Sequence, residues 1–199
     1  MPELSVIYHD DPFIAYYEQV ATPIECRRLI QLAKSKLRPA TVIKESGLEV
    51  SEARLSEHTW FPHHSWLVRE IAERMASLVK KPLTHAEQLQ IARYQVGGKF
   101  EAHFDCYDLS TKPGRMYFEQ GGQRLCTAIL YLNTVGAGGE TCFPGLDLQI
   151  TPKEGDLLLF ENCKKGTNEA HPLSLHEGRA VNEGEKWIAT LWFREKNQY

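Results

Sequence analysis

Apolar and polar positions along the chain change period near residue 87, and that change divides the sequence. Before it, two segments repeat at helical spacing. Thr22-Pro23-Ile24-Glu25 reads as a helix start, with Thr as the cap, Pro in the first turn and an acidic residue after it. Cys26, Leu29, Ile30, Ala33 and Leu37 then form one apolar stripe, ending before Arg38-Pro39. Residues 63–80 form a second amphipathic helix: Trp66, Leu67, Ile71, Met75 and Leu78 make the stripe, while Arg69, Glu70, Glu73 and Arg74 face water. Pro82 stops it. Ahead of both, residues 5–19 alternate in short bursts and read as one or two strands broken at Asp11-Pro12. Thr41-Val42-Ile43 suggests a short strand, and Glu45-Ser46-Gly47 a turn.

After residue 87 the texture is that of strands. LQIARYQV (89–96) and KFEAHFD (99–105) are extended about a Gly97-Gly98 turn. Residues 106–123 are polar and rich in Gly and Pro, a long loop that could cover a site. RLCTAILYLN (124–133) is a strongly apolar strand, and residues 135–144, 146–152 and 157–162 give further strands and turns. Two strands about Gly184 end the chain over 180–195. Helices first and about eight strands after them predict a mainly β protein. It would be an antiparallel jelly-roll sandwich with helices packed on one sheet: residues 1–83 the helical part, residues 84–199 the core, 1–199 one domain.

Composition removes several alternatives. A length of 199 residues suits one core, and a net charge of −3 offers no basic face for nucleic acid. No apolar run approaches the ~20 residues of a membrane span. The acidic start MPELSVIYHDDPF lacks the pattern of a signal peptide. Five widely spaced cysteines, without a Cys-x-x-Cys pair, indicate neither a zinc knuckle nor a disulfide framework, and a reduced, cytoplasmic setting is expected.

The candidate chemistry begins at His103-Phe104-Asp105. In an extended segment residues i and i+2 share a face, so an imidazole and a carboxylate project side by side. That is two-thirds of the 2-His-1-carboxylate triad that holds non-haem Fe(II) with open positions. His171 and His176, both ahead of the last two strands, can each supply the third ligand. Lys186 lies on an otherwise aromatic and apolar strand, where an ammonium needs an anionic partner unless it sits at an exposed edge.

Taken together, Tyr94-x8-His103-x-Asp105, Gly138-Gly139-Glu140-Thr141-x-Phe143-Pro144 and His176-x9-Lys186-Trp187 resemble the catalytic domain of the prolyl 4-hydroxylases, a family of Fe(II)/2-oxoglutarate dioxygenases. The resemblance runs through residues 84–195 and extends to Arg54-x-Ser56 and Trp60. It implies His176 as the distal ligand, so that His103, Asp105 and His176 bind Fe(II). Lys186 would pair with the far carboxylate of 2-oxoglutarate, with hydroxyl groups from Tyr94 and Thr141 beside it. Arg124 and Trp192 fall on the substrate side, although Arg124 also suits a strand end and Trp192 a plain core. The implied activity is hydroxylation of proline in a peptide or protein, with O2 consumed, succinate and CO2 released, and ascorbate in support. The same chemistry on a free amino acid or other small molecule is the alternative, and a non-catalytic binding module is the third reading. Two positions depart from the family pattern: Phe100 where tyrosine is usual, and Arg194 where histidine is usual.

Overall fold

The computed structural model describes residues 3–44 and 47–199. β1 (Glu3–Asp10) and β2 (Phe13–Glu18) form a hairpin whose turn contains a cis Asp11-Pro12 bond, and helix α1 (Pro23–Lys34) follows. Thr22 caps α1: its hydroxyl accepts from the Glu25 amide, and the Glu25 carboxylate accepts from the Thr22 amide, the reciprocal capping box. Strands β3 (Arg38–Pro39), β4 (Thr41–Lys44), β5 (Gly47–Val50) and β6 (Glu57–Phe61) precede helix α2 (Trp66–Val79). Of the turn expected at 45–47, residues 45 and 46 lie outside the described residues. Then come β7 (Leu89–Tyr94), β8 (Phe100–His103), helix α3 (Lys112–Gly121), β9 (Arg124–Tyr131), β10 (Ala137–Gly138), β11 (Thr141–Phe143) and β12 (Leu148–Ile150). The chain closes with β13 (Leu157–Glu161), β14 (His176–Gly178), β15 (Val181–Glu183) and β16 (Lys186–Arg194).

Twelve of the strands form two facing sheets, while β4 with β5 and β10 with β15 make separate two-stranded pairs. One facing sheet has eight strands in the order β1-β2-β13-β9-β16-β7-β6-β3, the other four in the order β12-β11-β14-β8. The pairings within both are antiparallel. Alternation along β9 shows how one strand serves two cores. Ala128 and Leu130 face the helices, with Val68, Ile71 and Met75 of α2, while Ile129 and Tyr131 face the smaller sheet, with Phe143 and Phe160. The result is three layers: helices, large sheet, small sheet. Each large α2 side chain buried against the sheet contributes about 2 kcal/mol.

Four expectations are corrected. The first 83 residues are not merely helical, because β1, β2, β3 and β6 extend both edges of the large sheet. The second helix begins at Trp66, and Trp66 is 69% exposed; Val68, Ile71, Ala72, Met75 and Ala76 form the buried face. Arg74 on that helix turns inward to Glu25 and the Val20 carbonyl instead of facing water. Finally, residues 106–123 contain a helix. Thr111 caps α3 by accepting from the Gly114 amide, and Gly114 packs so tightly that a Cβ there would lie 1.9 Å from the Asp108 carbonyl oxygen. Among the described residues, no helix is long and apolar enough to cross a membrane.

Candidate active site

β8 and β14 pair so that His176 stands opposite His103. This register is what brings a residue 73 positions away to the first histidine. The ligand atoms of His103, Asp105 and His176 all lie within 4.8 Å of one another. His103 Nε2 is 3.5 Å from Asp105 Oδ1, and His176 Nε2 is 3.8 Å from Asp105 Oδ2. Each imidazole spends its Nδ1–H on a backbone carbonyl, His103 on Glu101 at 2.8 Å and His176 on Ser174 at 3.0 Å. A carbonyl only accepts, so both Nε2 atoms carry lone pairs and both point into the cluster. His171, the other candidate, lies elsewhere, with Nε2 3.9 Å from Asp11 Oδ1.

The charges suit a divalent cation. Burial alone would raise the Asp105 carboxyl, but His176 and His103 outweigh it and hold the group well below the usual carboxylate range. Burial and then the neighbouring His103 pull His176 down to about 4, so it is neutral at neutral pH. Two imidazoles and one carboxylate on one side of a cavity are the donor set of a facial Fe(II) site.

A second tier holds the carboxylate. Thr127 donates its hydroxyl to Asp105 Oδ2 at 2.6 Å, and Asn162 donates Nδ2–H to the Thr127 oxygen at 2.9 Å. Neither residue was singled out from the sequence. The available signal was a polar residue inside each of two apolar strands, RLCTAILYLN and LLLFEN. Thr127→Val keeps the shape and removes the hydrogen bond; metal affinity should fall about 10- to 100-fold with little change in melting temperature, as titration with Fe(II) under anaerobic conditions will show.

Lys186 opens β16 in register with Tyr94, so it lies inside the large sheet and not at an edge. It is 4% exposed, its ammonium 5.7 Å from the Tyr94 ring and 5.8 Å from the Tyr131 ring. Thr141 pairs with Gly178, whose Cα side faces the ammonium: a Cβ built there would lie 4.0 Å from Lys186 Nζ, an ordinary contact. Tyr131 donates its hydroxyl to Thr141 Oγ1 at 2.9 Å, which leaves the Thr141 proton free to point elsewhere. Burial drops the Lys186 ammonium to about 8, although Cys142 and Glu140 partly oppose this. Among the described residues no carboxylate lies within ion-pair distance of it. A buried cation set among tyrosine rings, with no carboxylate of its own among the described residues, fits one end of a dicarboxylate.

On the other side His103 and Asp105 open onto a cavity of about 1400 Å³. Arg124 and Trp192 line it. Arg124 grips Glu87 through two hydrogen bonds of 2.7 Å and lies 4.1 Å over the Trp192 ring, while Trp60 packs 5.6 Å from Trp192. Glu87 is a further residue that the sequence did not single out. Phe100 stacks on His103 with ring centroids 3.5 Å apart, and the Arg54 guanidinium lies 4.7 Å from the Phe100 ring. Arg194 donates to the carbonyls of Gly122 and Tyr117, and so fastens the end of α3 to the cavity wall. Its Nε also lies 3.9 Å from Glu87 Oε1, beside the pair that Glu87 makes with Arg124.

A jelly roll with a His–Asp–His cluster at its mouth and a buried lysine behind it defines a metal-dependent oxygenase of the oxo-acid type. Residues 89–194 match the 2OG-Fe(II) oxygenase superfamily, and the chain belongs to this superfamily, in its prolyl 4-hydroxylase family. It is 35% identical to a putative prolyl 4-hydroxylase of Acanthamoeba polyphaga mimivirus, over 94% of this chain and 77% of that one. Prolyl 4-hydroxylase 5 of Arabidopsis thaliana is 34% identical, over 92% and 68%. The viral collagen prolyl hydroxylase of Paramecium Bursaria Chlorella virus-1, solved as its 2OG complex, superposes with a TM-score of 0.73 at 30% identity, covering 93% of this chain and 97% of that one. The protein is an Fe(II)- and 2-oxoglutarate-dependent dioxygenase.

Proposed function

We propose that the enzyme hydroxylates proline within a peptide or protein, with His103, Asp105 and His176 holding Fe(II) on one face. When bound, the metal supplies the oxidising chemistry: 2-oxoglutarate and O2 are consumed, succinate and CO2 leave, and one oxygen atom enters a C–H bond. The chain's own residues bind and orient. Lys186 receives the far carboxylate of 2-oxoglutarate, with the hydroxyl groups of Tyr94 and Thr141 beside it. The apolar walls of Tyr131, Phe143 and Ile188 exclude water. Arg124 and Trp192 face the substrate.

The observation that favours a peptide over a free amino acid is the cavity. At about 1400 Å³ it exceeds the ~300–1000 Å³ of ordinary small-molecule sites, and Trp60, Tyr117 and Trp192 line it. An aromatic groove suits the extended, preformed backbone of a proline-rich segment. The relatives' names point the same way. A cytoplasmic setting and stimulation by ascorbate belong to the same proposal.

The test is succinate release with Fe(II) and 2-oxoglutarate in the presence of a proline-rich peptide, of free proline, or of neither. The peptide should stimulate release and gain one oxygen, placed on proline by fragmentation mass spectrometry. Stimulation by free proline alone, with the peptide unmodified, would instead establish a small-molecule hydroxylase.

A further inference from the structure

Beside the iron ligands lies a sulfur pair that the reaction does not use. Cys106 directly follows Asp105, and Cys163 directly follows Asn162. Their sulfurs are 2.8 Å apart, and both sit against the Arg124 carbonyl oxygen, at 3.6 and 3.5 Å. The two residues are 57 positions apart in sequence. Their neighbours are already joined, since Asn162 holds Thr127 and Thr127 holds Asp105. The sulfurs therefore flank the hydrogen-bond chain that fixes the carboxylate ligand. Both cysteines are free thiols in the structure.

We propose that Cys106 and Cys163 form a reversible disulfide that latches the Asp105 ligand to the end of β13. A disulfide needs the sulfurs at about 2.05 Å, so closure moves them by less than ~1 Å and leaves the metal ligands in place. Access is available from both sides. Cys106 lines the large cavity, and Cys163 lines a separate pocket of about 440 Å³ next to Lys164 and Lys165.

The oxidant is a low-molecular-weight disulfide. Cys106 gives up its proton and attacks one sulfur of the reagent, whose S–S bond breaks and whose other half leaves as a thiol. The resulting mixed disulfide is attacked by Cys163, which also loses its proton; the S–S bond within the protein forms, and the second half leaves as a thiol. Two electrons pass from the protein to the reagent, and the two protons end on the released thiols. Both cysteines are hydrogen-bonded and at least partly buried, so the latch closes slowly and responds to sustained oxidation.

The test equilibrates the anaerobic Fe(II)-loaded enzyme with oxidised glutathione and with dithiothreitol in parallel. Titratable thiols in the unfolded protein should fall from five to three in the oxidised sample, and non-reducing peptide mapping should find Cys106 joined to Cys163. A closed latch should raise the melting temperature by roughly 5 °C or more, because it constrains a long loop of the unfolded chain. It should also slow release of iron to a chelator several-fold. Cys106→Ser and Cys163→Ser should each abolish the thiol loss, whereas Cys126→Ser should not. Five thiols persisting in the wild type, or a link from Cys163 to Cys126, overturns the proposal. The mapping is done on the wild type, so it decides even where a variant fails to fold, and it is independent of any activity.

Discussion

His176→Ala should give a folded protein that retains less than about one-hundredth of the wild-type affinity for Fe(II) and releases no measurable succinate. The reasoning starts from the register. β14 carries His176 opposite His103, and both rings are locked by Nδ1 donation to the backbone, so the site is preorganised before metal arrives. Removing one of three ligands leaves a two-point site on the short strand β8 and the bend after it. Changes to groups that only support ligands cost about 10- to 100-fold in affinity, so loss of a ligand sets a floor at the upper end of that range. The alanine leaves a small void beside Phe143 and Phe160, which pack 5.8 and 4.7 Å from the ring, without exposing a charge. Retention of the fold should therefore appear as an unchanged far-UV circular dichroism spectrum. His171→Ala is the matched control, because His171 lies by Asp11, away from the cluster, and it should keep full iron occupancy. Elemental analysis of both variants together with the succinate assay is decisive: iron retained by His176→Ala at the wild-type level would remove His176 from the site.

That contrast also marks how far the sequence could be read. His103 and Asp105 were legible as a pair because a two-residue period in an extended run sends both side chains to one face. His176 and His171 were equivalent from the residues alone; the family resemblance favoured His176, and strand pairing, a tertiary fact, sets it opposite His103. Lys186 posed a similar problem, since an edge strand and a central strand have the same local pattern; its partners β7 and β9 decide the matter. Helix α3 escaped because Pro113 and Gly114 are poor helix formers, yet both are used at its first turn, where proline costs little and where Thr111 and Asp108 leave room only for glycine. Trp66 was placed on the buried stripe because periodicity fixes the angle between residues but not the helix's rotation against its sheet; the helix turned to bury Val68 and Ala72 instead. The support for Asp105 from Thr127 and Asn162 was hidden for a different reason. Thr127 is a polar residue within an apolar strand and Asn162 directly follows the end of another, and nothing local says what either must satisfy.

Lys186→Met should do two opposite things: raise the Michaelis constant for 2-oxoglutarate by about 30-fold or more, and raise the melting temperature of the protein without co-substrate. Both follow from a single buried ammonium. In the proposed binding mode the ammonium meets a carboxylate of 2-oxoglutarate in a site closed by Tyr94, Tyr131 and Thr141, and truncating one partner of such a buried pair costs about 2–5 kcal/mol. Without it the ammonium has no carboxylate within ion-pair distance among the described residues, so its desolvation is uncompensated, and an apolar side chain of similar length removes that cost. The pH dependence has a defined sign. Burial places the Lys186 proton at about 8, below the ordinary lysine value, so the unfolded chain binds more protons than the folded one between about pH 8 and the unperturbed value. In that window stability without co-substrate rises with pH, and the penalty is fully present below it. Binding of 2-oxoglutarate needs the charged form, so kcat/KM for 2-oxoglutarate should fall as pH rises above about 8 in the free wild-type enzyme, while the methionine variant shows no such limb. Thermal unfolding of wild type and variant at pH 7 and pH 9, with and without 2-oxoglutarate, measures each part. A variant less stable than wild type in the absence of 2-oxoglutarate would mean that the ammonium is already satisfied in the empty pocket, and that the pocket is not built around an incoming dicarboxylate.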